Sequence, residues 1–141
     1  MIVVVDTNVF ISAAGSRAGF SWRCFVLLAE RRFQLAVTKE ILTEFETVAE
    51  RLSHQPGIHC GMKWRPLFHW LCDKAIYFDP APLGKQRSRN AADDIFLACA
   101  LASGAKIIVS HDADLLALEK PFGIEIVKPA ICVARFKLVE R

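Results

Sequence analysis

Long apolar runs are missing from this chain of 141 residues. The longest unbroken one, Ile95 to Ala102, is far shorter than the roughly 20 residues a membrane-spanning helix needs. No basic segment precedes the first strand-like run after Met1, so no secretory signal is expected. Five cysteines (24, 60, 72, 99 and 132) make an odd set with no Cys-x-x-Cys pair. That argues against a disulfide framework and for buried, reduced thiols in a cytoplasmic protein. The histidines and cysteines at 54, 59, 60, 69 and 72 follow no zinc spacing. Ser12 and Ser110 have no adjacent His/Asp arrangement, which leaves nucleophilic serine chemistry poorly supported. Internal repeats and low-complexity tracts are absent as well.

What the chain does contain is apolar residues, at 53% of the composition, enough for the core of one domain covering residues 1–141. Ile2 to Val5 is a continuous β-branched run, the pattern of a strand buried on both faces. Thr7-Asn8 then reads as a turn, Phe20 to Arg31 as a helix and Phe33 to Val37 as a strand. Thr38 is a good N-cap for a helix over 39–52. Pro56-Gly57 breaks the chain, 63–73 suits a helix and 76–78 a short strand. Asp79 to Ala92 reads as a loop, and the helix over 93–103 stops at Gly104. A strand (106–110), a short helix (113–118), a strand (124–127) and a helix (130–138) follow. The alternation predicts an α/β fold with a central, mostly parallel sheet flanked by helices on both sides.

Against this frame the acids stand out. Asp6 ends the first strand, Asp112 and Asp114 follow the strand at 106–110, and Asp93 and Asp94 open a helix. At about 100° per residue, Glu44 falls at the edge of the apolar stripe Ile41, Phe45, Val48 and Leu52. Glu40, Glu46 and Glu50 project away from it. Acids at the carboxyl ends of parallel strands face one crevice, where they repel each other unless a cation joins them. Carboxylate oxygens suit a hard divalent ion such as Mg²⁺ or Mn²⁺. Setting these six aside leaves nine of the fifteen acids against eighteen Lys and Arg. A basic surface around an acidic pocket suits a polyanion, although ordinary solvated charge gives the same count.

Four stretches together resemble a known family. They are Asp6-Thr7-Asn8 after the first strand, the helical Glu44, Asp93-Asp94-Ile95-Phe96-Leu97-Ala98, and Ser110-His111-Asp112-Ala113-Asp114-Leu115. In this order and spacing they look like the acidic motifs of PIN-domain ribonucleases, and most of all the branch of VapC-like toxins from toxin–antitoxin pairs. The resemblance implies a metal-dependent endoribonuclease with Asp6, Glu44, Asp94 and Asp112 as its catalytic acids. Asp6 would be the central ligand of Mg²⁺ or Mn²⁺, shared with Asp94 and Asp112. Asp93 and Asp114 lie next to matched positions and share or replace their roles, and Asn8 is a polar neighbour of Asp6. Where many relatives carry further acids this chain has Asn90-Ala91-Ala92, which weakens the case for a second metal. The resemblance also implies an RNA substrate, a cognate antitoxin and a homodimer.

Plainer readings stand beside this one. Asp93, Asp94 or Asp112 alone would serve as an acid at a helix N-terminus, and Glu44 would pair with a buried Arg. Arg87 and Arg89 fit phosphate contact or solvated loop charge equally. Trp64, Phe68 and Trp70 fit core or a protein interface better than RNA stacking. Two rival functions remain: a catalytically silent PIN-like module that binds RNA or protein, and a small phosphatase. The second is disfavoured because Asn8 stands where the aspartyl-phosphate motif has its second Asp.

Overall fold

Strand β1, Ile2–Val5, lies in the middle of the sheet, and its composition follows from that place. It pairs in parallel with β2 (Gln34–Val37) on one side and β4 (Ile107–Val109) on the other. Val3 and Val4 are wholly buried, as expected of a strand with sheet neighbours on both edges and cover on both faces. The edges are β3 (Ile76–Tyr77) and β5 (Glu125–Val127), so the order is β3-β2-β1-β4-β5. Every pairing is parallel, which sharpens the expected mostly parallel sheet. The computed structural model describes residues 1–55 and 64–137.

Seven helices flank this sheet among the described residues: α1 (Thr7–Gly15), α2 (Phe20–Ala29), α3 (Lys39–Ser53), α4 (Trp64–Lys74), α5 (Asp94–Ser103), α6 (Ala113–Leu116) and α7 (Pro129–Phe136). From β1 the chain runs outward to β2 and β3, then returns to lay β4 and β5 on the other side. The connections leaving β1 and β4 therefore diverge, and a crevice opens at the carboxyl ends of these two strands. Pro56-Gly57, His59, Cys60, the start of the expected 63–73 helix and residue 138 lie outside the described residues.

One expectation is corrected. Thr7-Asn8 does not turn the chain but starts α1 directly after β1. Asp6 keeps extended dihedrals (φ −71°, ψ 155°), and its carbonyl accepts from Val9 N–H at 3.1 Å. Turn-forming residues also start helices, and burial of Val9, Phe10 and Ala13 on one face decides the matter. The Asp6 side chain closes no cap hydrogen bond on the helix it precedes; the nearby Thr7 and Asn8 backbone N–H groups only favour its charge.

Elsewhere the local signals hold. Thr38 Oγ1 accepts from Ile41 N–H at 3.2 Å, capping α3, and Gly104 takes the left-handed conformation (φ 73°) that ends α5. Phe10 of α1 stacks on Phe45 of α3 with centroids 4.8 Å apart and meets Phe68 of α4 edge-on. Phe45→Ala should therefore cost about 3–5 kcal/mol, read as a lower denaturant midpoint with unchanged slope. Trp64 and Phe68 belong to the core, whereas Trp70 is only partly buried. Cys24, Cys99 and Cys132 are buried free thiols and Cys72 is half-buried. No described helix is long and apolar enough to cross a membrane.

Candidate metal centre

The carboxyl ends of β1 and β4 are tied together before any side chain acts, because Asp6 N–H donates to the Val109 carbonyl at 2.9 Å. Ser110, fully buried, then bridges the two strands. Its hydroxyl donates to Asp6 Oδ2 at 2.5 Å and accepts from Asp112 N–H at 2.8 Å. Asp112 Oδ1 in turn accepts from Asp114 N–H at 3.1 Å at the start of α6. Asp93 is supplied by a single 3-10 turn (Ala91–Asp93), started by the Asn90 side chain, which accepts from Ala92 N–H. One carboxylate oxygen each from Asp93, Asp112 and Asp114 lies within 4.8 Å of the others.

These acids strain against each other. Asp6 is only 3% exposed, and burial pushes its carboxyl above the usual range; Asp112 adds to this, while Ser110 and the Thr7 and Asn8 backbone N–H groups work against it. Asp93 is 8% exposed and is pushed up to about 8, first by burial, then by its hydrogen bond and charge repulsion with Asp112, and further by Asp6 and Glu44. Its Oδ2 is buried without a hydrogen-bond partner. A buried, unpaired carboxylate oxygen on an acid clustered with other acids is costly unless a cation or a proton satisfies it. The donors are all oxygen, as hard divalent cations require, so the residues present fit such an ion.

The remaining expected residues fall into two groups. Glu44 is drawn in: Thr7 Oγ1, from the first turn of α1, donates to Glu44 Oε2. Its partner is therefore a hydroxyl, not the buried Arg of the plainer reading. Asp94, expected among the ligands, instead grips the preceding loop. Its Oδ2 accepts from Arg87 N–H at 2.8 Å and its Oδ1 from Ser88 N–H at 2.7 Å. Asn8 is exposed, and what it brings to Asp6 is its backbone N–H. Arg89 is exposed. The Arg87 guanidinium donates twice to the Leu83 carbonyl, at 3.0 and 3.3 Å.

Sequence reasoning missed Ser110 as the bridge and Thr7 as the partner of Glu44. A hydroxyl residue directly after a strand and two before an acid was the available signal for Ser110. His111 was missed too: its Nε2 lies 3.1 Å from the buried Ser21 Oγ of α2, tying the loop after β4 to that helix.

No match was found among curated proteins. A family model for the PIN domain, however, matches residues 2–114, from the first residue of β1 to the last acid of the cluster. The matched stretch is well over half of the 141 residues, and family membership points to nuclease chemistry at an acidic centre of this kind. With its parallel sheet and its acids gathered at the ends of β1 and β4, the chain belongs to the PIN-domain family.

Proposed function

We propose that this protein is a metal-dependent endoribonuclease, using Mg²⁺ or Mn²⁺, and the cytoplasmic toxin of a toxin–antitoxin pair. The observation that carries the reading is the all-oxygen cluster of Asp93, Asp112 and Asp114, in which Asp93 also buries one carboxylate oxygen, Oδ2, without a hydrogen-bond partner. Asp93, Asp112 and Asp114 would hold the ion, with Asp6 behind them. When bound, a hard divalent cation neutralises phosphate charge and makes water a better nucleophile near neutral pH.

The chain's own groups prepare the place. Ser110 orients Asp6 and the Asp112 backbone at once, so the ends of two strands share one geometry. Thr7 holds Glu44 toward the crevice, where its charge reaches Asp93. The excess of Lys and Arg outside the cluster favours a polyanion such as RNA. A groove of about 540 Å³, with Trp22, Phe25, Val26, Leu67 and Trp70 among its lining residues, supports docking of an antitoxin or a second copy.

The test incubates purified protein with labelled structured and single-stranded RNAs, with Mg²⁺ or Mn²⁺ and with chelator, beside Asp6→Asn. Metal-dependent cleavage that disappears in the variant is expected. RNA binding without cleavage of any RNA would replace the nuclease with a silent binding module. For the toxin role, induction in a bacterial host should slow growth and Asp112→Asn should relieve it; equal growth with both would remove that role.

A further inference from the structure

The loops beside the acids also carry a pair that the metal chemistry leaves unused. The Arg87 guanidinium lies over the Phe122 ring at 5.0 Å. Arg87 sits in the segment gripped by Asp94, and its 2.8 Å bond keeps the Arg87 backbone within about 10 Å of the Asp93 Cα. Phe122 sits in the connection between α6 and β5, the helix that Asp112 starts. Both halves of the pair are thus anchored to acid-bearing elements.

Three features separate this pair from a core contact. Phe122 is 49% exposed, whereas Phe10, Phe45 and Phe96 are at most 1% exposed. It is held at φ 54° in a stretch where Glu119 (φ 52°) and Lys120 (φ 60°) are also left-handed, a conformation that L side chains disfavour. Such backbone persists where the surroundings over-determine it, commonly around ligand clamps; here an exposed ring gives little burial to offset it. Third, the guanidinium is fixed by its two bonds to the Leu83 carbonyl, so a planar cation and a planar ring are presented together.

We propose that Phe122 and Arg87 form a nucleobase platform, on which an unpaired base of single-stranded RNA stacks beside the acid crevice. The proposal deepens the nuclease reading and rests on it for the identity of the ligand. Aromatic rings and Arg planes accept any base by its π face, so the platform selects for unpaired nucleotides over sequence. Exposed Lys85, Arg89 and Lys120 flank the pair and suit the phosphates on either side, with Glu119 the one acid of the 117–123 connection. Arg87 thereby acts through its plane and not as a free phosphate contact.

The test measures binding of a short fluorescent single-stranded RNA to the full chain by anisotropy, in chelator so that turnover cannot intervene. Phe122→Ala should weaken binding about tenfold, and Phe122→Trp should preserve it. Phe122→Leu, which keeps apolar bulk without a π face, should behave like Phe122→Ala if its melting temperature matches the wild type. An RNA of equal length with abasic positions should bind the wild type as weakly as intact RNA binds Phe122→Ala. Equal wild-type affinity for intact and abasic RNA, or no affinity for either, would overturn the platform. Base-dependent binding that Phe122→Ala leaves unchanged would overturn the platform too, whereas base-dependent binding lost in Phe122→Ala, by a protein that cleaves no RNA, would sustain the platform and sink the nuclease.

Discussion

Asp93→Asn is expected to lower metal-dependent cleavage by more than about 100-fold, since even groups that merely orient a metal ligand are worth 10–100-fold. Asp94→Asn is expected to leave a measurable share. The two acids are adjacent in the chain, yet the 3-10 turn ending at Asp93 aims them apart. Asp93 reaches Asp112 and Asp114, while both oxygens of Asp94 are engaged by the Arg87 and Ser88 N–H groups. Replacing Asp94 weakens two hydrogen bonds to a charged acceptor, so a stability loss of about 2 kcal/mol is expected, with activity falling only as the 83–89 loop loosens. Calorimetric titration with Mn²⁺, cleavage rates and urea midpoints for both variants decide the order. Should Asp94→Asn abolish Mn²⁺ binding while Asp93→Asn keeps it, the ligand role returns to Asp94, where the family resemblance had placed it.

The second large effect concerns pH. Asp93 titrates near 8 in the folded protein against an ordinary 3.8, and Asp6 is displaced in the same direction. The native state therefore binds these protons more tightly than the unfolded chain. Their contribution to stability is full below about pH 4 and is lost as pH rises through 8. Metal-free protein should melt several degrees lower at pH 8 than at pH 5. Saturating Mg²⁺ or Mn²⁺ should restore the loss at pH 8, because a cation replaces the proton among the carboxylates. Glu50 and Glu125 are displaced downward, by His54 and Arg135 respectively, and lose their contributions only below this window. Asp93→Asn, with no charge to bury, should melt higher than the metal-free wild type at pH 8 and show a flatter pH dependence. A wild type whose metal-free melting temperature rises between pH 5 and 8 would contradict the repulsive cluster.

Several parts of this protein were legible in one dimension. The β-branched run at 2–5 announced a buried central strand because parallel strands covered on both faces need apolar residues throughout. Thr38 and Gly104 marked helix ends through backbone chemistry that acts within a few residues. The acids after β1 and β4 pointed to one crevice because strand polarity alone sends their side chains there. Helix α1 was not legible: Thr7-Asn8 suits a turn as well as a helix start, and the choice depended on burying Val9 and Phe10 against other elements.

The composition and order of residues by themselves determined the alternating α/β fold, the parallel sheet and the set of acids from which the candidate metal centre is drawn. These are properties of periodicity, polarity and residue type, and they survive without knowing any distance. Only the tertiary structure decided which acid of the Asp93–Asp94 pair faces Asp112, that Ser110 joins Asp6 to the loop after β4, and that Thr7 partners Glu44. Neighbouring side chains at a helix start diverge by about 100°, and a one-residue difference in where the 3-10 turn ends exchanges their roles. Such choices depend on packing among segments far apart in the chain, which no local pattern records.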